Sequence, residues 1–129
     1  MNRKNIVSVF TLFLVVFLFS CRGGPMYKEL GDTDRLSLHV GQKVQLSGKI
    51  AVEIWQHMVG SFDGYPYSAY FDLAGSQIVI YSRTRLPDSG RLLLRGTVVK
   101  LEGGSKNPGK SDEIYFEYHL LVDEYDFLK

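Results

Sequence analysis

Cys21 is the only cysteine in the chain, so no internal disulfide can form and stability has to come from core packing. The same scarcity excludes cysteine-rich metal sites of the zinc-finger kind. Histidine is also sparse: His39, His57 and His119 are far apart in the sequence and lack the paired spacing of a zinc-binding helix. Neither sign of charge dominates, with 15 Lys+Arg against 14 Asp+Glu. Residues 1–20 hold two of those bases, Arg3 and Lys4, and no acid, so the rest carries 13 against 14, a formal charge of −1. Proteins that grip nucleic acid through its phosphates are visibly basic, which makes nucleic acid the less favoured partner. No segment shows sustained helical periodicity, and 129 residues leave room for one core only.

Recognisable catalytic apparatus is missing as well. There is no Gly-x-Ser-x-Gly elbow, and "EGGSKNPGK" (102–110) lacks the order of a phosphate-binding loop. Asp112-Glu113 and Asp123-Glu124 are sequence neighbours, and neighbours in a strand point to opposite faces. His39 and His119 fall in expected strands, where edge or surface positions are the ordinary outcome. The chain is therefore expected to be no enzyme, with no catalytic residues, no metal and no cofactor.

The N-terminus is the most distinctive stretch. "MNRKN" is a short basic start, and residues 6–19 are apolar apart from Ser8 and Thr11. That run is shorter than the roughly 18–20 residues a spanning helix needs. A basic start, a short apolar stretch and then small residues is the layout of a secretory signal, with an uncleaved anchor helix as the alternative. Leu18-Phe19-Ser20-Cys21 resembles a bacterial lipobox, with Leu three before the cysteine and a small Ser directly before it. The resemblance implies cleavage after Ser20, a thioether-linked diacylglycerol on Cys21 and acylation of the new amino terminus. Each buried methylene adds about 0.8 kcal/mol of membrane attachment, so two or three chains hold durably. The implied address is the bacterial cell envelope, on the outer or inner membrane. Residues 21–36, rich in glycine and charge, are expected to be a flexible tether, and 37–129 the folded domain.

From about Leu38 the pattern becomes period two. "KVQLSGKIAVEIW" (43–55) reads as a long half-buried strand, with Val44, Leu46, Ile50, Val52 and Ile54 on one face. "YSAYFDL" (67–73) and "IVIYSRT" (78–84) form a hairpin across "AGSQ". "RLLLRGTVVKL" (91–101) and "IYFEYHLLVDEY" (114–125) supply a fourth and a fifth strand around a polar loop. Gly48 and Gly96 sit mid-strand in matching contexts, "VQLSGKI" and "LLLRGTV", as bends or bulges would. The expected class is all-β. Strand order, the two glycine-bent strands and the tight central hairpin resemble the five-stranded OB-fold barrel, with SH3-like barrels as rivals.

That resemblance implies a binding surface on the second and third strands and the loops after the first and fourth. If Phe71, Leu73, Ile78 and Ile80 point inward, then Tyr70, Asp72, Val79, Tyr81 and Arg83 point outward. Trp55, Tyr65, Tyr70, Tyr81, Arg83 and Arg85 are the candidate ligand-binding residues, able to stack on a sugar or base. Trp55 lies in the polar register, so either a ligand or the first loop is expected to cover it. Residues 83–110 carry seven bases against Asp88 and Glu102, whereas 112–126 carry six acids and no base. Mutual neutralisation is the simpler expectation, and a basic patch for an anionic partner is the other. The overall reading is a lipid-anchored module binding an envelope protein or glycan. An exported single-stranded nucleic-acid binder and a purely structural envelope protein are the alternatives.

Overall fold

The structure is a computed structural model that describes residues 26–32, 34–104, 108–110 and 112–129. The apolar run 6–19, the lipobox and Cys21 lie outside the described residues. Six strands follow in order: β1 (Lys28–Glu29), β2 (Lys43–Ile50), β3 (Tyr67–Leu73), β4 (Ser76–Ser82), β5 (Arg91–Gly104) and β6 (Ile114–Phe127). The sheet order is β1-β2-β3-β4-β6-β5, and β2 also pairs with β5, which closes a ring. Neighbouring strands are antiparallel except for the β4–β6 and β1–β2 pairs. With the two-residue β1 set aside, this is the five-stranded OB-like barrel that the sequence implies.

Period-two patterning builds the core. β5 alternates buried and half-buried residues, directing Leu92, Leu94 and Val98 inward. They meet Val44, Leu46, Ile50, Phe71, Ile78, Ile80, Leu120 and Val122 from the other strands. Full burial of each such side chain contributes about 1.5–3 kcal/mol. The two mid-strand glycines occur where backbones approach too closely for a side chain. A Cβ on Gly48 would lie 2.1 Å from the Asp72 carbonyl oxygen, and one on Gly96 would lie 2.0 Å from that of Leu121. A register shift between Arg95 and Gly96 marks the bulge in β5. The β3–β4 turn is only Ala74-Gly75, and Gly75 has the positive φ of 73° that such a tight hairpin needs.

Several boundaries differ from expectation. The first long strand stops at Ile50 rather than Trp55, and Val52 and Ile54 are exposed. The segment expected to be a tether joins the sheet as β1, whose Lys28 and Glu29 pair with Val44 and Gln45. Leu30 and Leu36 pack against the core, and the Tyr27 hydroxyl donates to Asp123 at 3.0 Å. β5 runs three residues further than expected and, with β6, forms a long hairpin arm beyond the barrel. Charge neutralisation between 83–110 and 112–126 is visible at Arg95, which reaches Asp126 at 2.9 Å and Glu124 at 3.5 Å.

Candidate binding face

β4 is buried along both faces from Gln77 to Ser82, although a barrel strand hides only one face by itself. The second cover is the loop of residues 51–66, which folds back over the outer surface of β3, β4 and β6. Its anchors are specific. Gly60 N–H donates to the Tyr81 hydroxyl at 2.9 Å, and the Phe62 ring meets the Tyr81 ring edge-on at 4.8 Å. Met58 N–H donates to Glu117 Oε2 at 2.7 Å.

Gln77 holds the first half of the loop. Its Oε1 accepts the Trp55 N–H at 2.9 Å, and its Nε2 donates to the Glu53 carbonyl at 2.8 Å and to Asp72 at 2.7 Å. One buried amide thus binds the loop backbone much as a neighbouring strand would.

His119 lies beneath the same loop with 1% of its surface exposed. Its Nδ1 accepts the Val79 N–H at 2.9 Å, which leaves Nε2 to carry the proton towards Glu117 at 3.0 Å. The ring is therefore neutral. Burial pushes its pKa below the ordinary value of 6.5, outweighing the opposing pull of Glu117. Burial likewise raises the Tyr81 phenol, against the lowering bond from Gly60. His57 faces Gln77 Oε1 through Nε2 at 3.2 Å and packs against both Tyr70 and His119 at 5.8 Å. Among the described residues, no group of three or more His, Cys, Asp or Glu is arranged to hold a metal ion.

The six candidate residues end up in different places. Tyr81, expected to face outward, is 2% exposed and forms part of the loop's seat, as does Val79. Tyr70 is half-buried against His57. Tyr65 and Arg83 do come together: the guanidinium donates to the Tyr65 hydroxyl at 2.7 Å and lies 4.9 Å from the ring centre. Trp55 remains 52% exposed, so the loop holds its backbone without covering its ring. With Val52, Lys49 and Asp72 it borders a groove of about 430 Å³. Arg85 lines a separate groove of about 320 Å³ with Ile54, Tyr67, Ala69 and Leu86.

Sequence reasoning missed Gln77, Glu117, His57 and His119 as the loop's holders. His39 and His119 are both buried, contrary to the surface positions expected of them. A polar residue such as Gln77 between apolar neighbours carries no sign that a distant loop will settle on it. No protein-family model matches the chain, and no curated protein matches it either.

Proposed function

We propose that this chain is a lipid-anchored, non-catalytic binding module of the bacterial cell envelope, and that its partner is a protein. The observation that carries the partner class is the closure of the outer β3–β4 face by the chain's own loop. OB-like barrels take oligonucleotides and oligosaccharides on that face, and here Phe62 and His57 occupy it. Three large apolar side chains stay exposed at the start of the loop, Val52, Ile54 and Trp55, with Glu53 and Gln56 exposed among them. Large exposed apolar side chains beside shallow grooves suit a protein surface better than a charged polymer. The near-neutral charge of residues 21–129 supports the same choice. The anchor rests on the lipobox resemblance and the short apolar run. Among the described residues, no helix is long and apolar enough to cross a membrane.

Mass spectrometry of the mature protein is expected to find Cys21 as the amino terminus, carrying diacylglycerol. Cys21→Ser should leave the precursor uncut and without acyl chains, so that no processed form is recovered from membranes. Processing and membrane retention that survive this change would overturn the anchor. Partner capture should persist when salt rises from about 50 to 200 mM, a range over which phosphate-driven binding loses about 10³–10⁵ in affinity. Capture that decays that steeply and collapses in Arg83→Ala would move the reading to an anionic polymer.

A further inference from the structure

β2 ends before it covers the first residues of β3. Their register stops at Ile50↔Phe71, while β3 continues back to Tyr67. Ala51 N–H donates to the Tyr70 carbonyl at 2.9 Å, so Tyr70 faces the β2 side. Backbone groups alternate along a strand, so the N–H and C=O of Ser68 face that side too, where no strand lies among the described residues. The vacancy coincides with the 320 Å³ groove, whose lining includes Ser68 together with Ile54, Leu86 and Pro87. Arg85 stands at its rim, exposed and without an ion pair among the described residues, with Asp88 nearby.

We infer that this gap is a docking slot for an extended segment of the partner protein, added as an antiparallel strand along Tyr67–Ala69. The inference rests on the protein-binding reading above and names the surface that performs it. Open ladder groups select the occupant's backbone, because only an extended chain presents matching donors and acceptors at that spacing. Apolar walls select alternate apolar side chains, and the unpaired Arg85 selects a carboxylate among them.

The chain's own "AVEIW" (51–55) has that chemistry, with Val52 and Ile54 alternating with Glu53. Continued in register, it would set Val52 opposite Ala69 and Ile54 opposite Tyr67. Gln77 holds it away instead, through the Glu53 and Trp55 backbone groups. The segment before Met26 is excluded by direction. β1 runs parallel to β2 with Lys28 opposite Val44, so the chain enters at the far end of β2 from the slot. Six residues of strand separate the two ends, about 20 Å, and residues 21–25 of the processed form span at most about 18 Å while tied to lipid. A slot at that pole faces away from the anchored end.

The test is a titration of the isotope-labelled full chain in detergent micelles with a synthetic peptide copying Val52–Trp55, acetylated at its amino end. Saturable amide shifts centred on Tyr67, Ser68 and Ala69 are expected below about 1 mM. In the antiparallel register the peptide's Glu53 N–H points at Ser68, and its Val52 N–H points away. N-methylation at Glu53 should therefore weaken binding at least tenfold, whereas N-methylation at Val52 should spare it. Equal binding of the two methylated peptides, shifts centred on the Val79–Tyr81 face, or no saturation would each overturn the slot. Self-association that protects Tyr67–Ala69 would assign it to a second copy and overturn the foreign partner. Processing of Cys21→Ser to a membrane-held mature form alongside normal peptide binding would sink the anchor and leave the slot standing.

Discussion

At the scale of single residues, the tightest constraint is at Gly96. Any Cβ there lies within 2.0 Å of a backbone oxygen of β6, and neither strand can yield without disturbing the bulge that bends β5. Gly96→Ala should cost about 1–3 kcal/mol, the range for overpacking a tight site. A lowered denaturant midpoint with an unchanged slope would register it, and an unchanged midpoint would contradict the close approach. His119 makes a prediction of sign. Its folded pKa lies below 6.5, so the unfolded chain binds the proton more readily. The resulting stabilisation is complete above about pH 6.5 and is lost as pH falls through the folded value. Protonation would also set a second donor against the Val79 N–H. Urea midpoints should drop between pH 7.5 and pH 5, and the drop should shrink in His119→Gln. A pH-independent midpoint in the parent would refute this. Asp123 is shifted in the same direction, by its partners and against burial, so it too loses stabilisation as pH falls. Burial alone would raise it, but the bonds from Lys43 and Tyr27 together hold it below the usual carboxylate range.

At the scale of elements, the loop of residues 51–66 behaves as a second, smaller layer with its own fastening. Gln77 is 6% exposed and meets the loop at Glu53, Trp55 and His57. Gln77→Ala leaves those groups unpaired at a cost of about 1–3 kcal/mol. Faster hydrogen exchange at the Trp55 and Gly60 amides is expected, with the barrel amides unchanged. Uniform acceleration throughout the barrel would show the loop to be no separate unit. Here sequence and structure part company in an instructive way. Alternation in β5 and β6 revealed their strands because one buried face per strand is a local property. Alternation continued equally well through Ala51–Trp55, yet there the strand ends. The deciding interaction comes from Gln77, more than twenty positions away, and no local pattern encodes it. For the same reason Tyr81 and Val79 read as outward, which is true of the barrel wall and false of the exposed surface. Tyr65 and Arg83 were legible as candidate binding residues though not as each other's partners, and Gln77 and Glu117 gave no sign of their role.

At the scale of the whole molecule, the ring closes through β2–β5, and the longest pairing is the β5–β6 hairpin. Thirteen residue pairs run from Leu92↔Phe127 to Gly104↔Ile114, across a connection of nine residues. Short connections cost little closure entropy, whereas β2 must find β5 some fifty residues downstream. Self-assembly should therefore begin in the arm and end with the loop settling on it. In kinetic terms, Val98→Ala is expected to slow folding, while Gln77→Ala leaves the folding limb of the chevron in place and hastens unfolding. A folding limb slowed equally by both would reverse that order. The arm would then be a nucleus on which the rest condenses, and the last piece to arrive would be the one that decides which part of the barrel faces a partner.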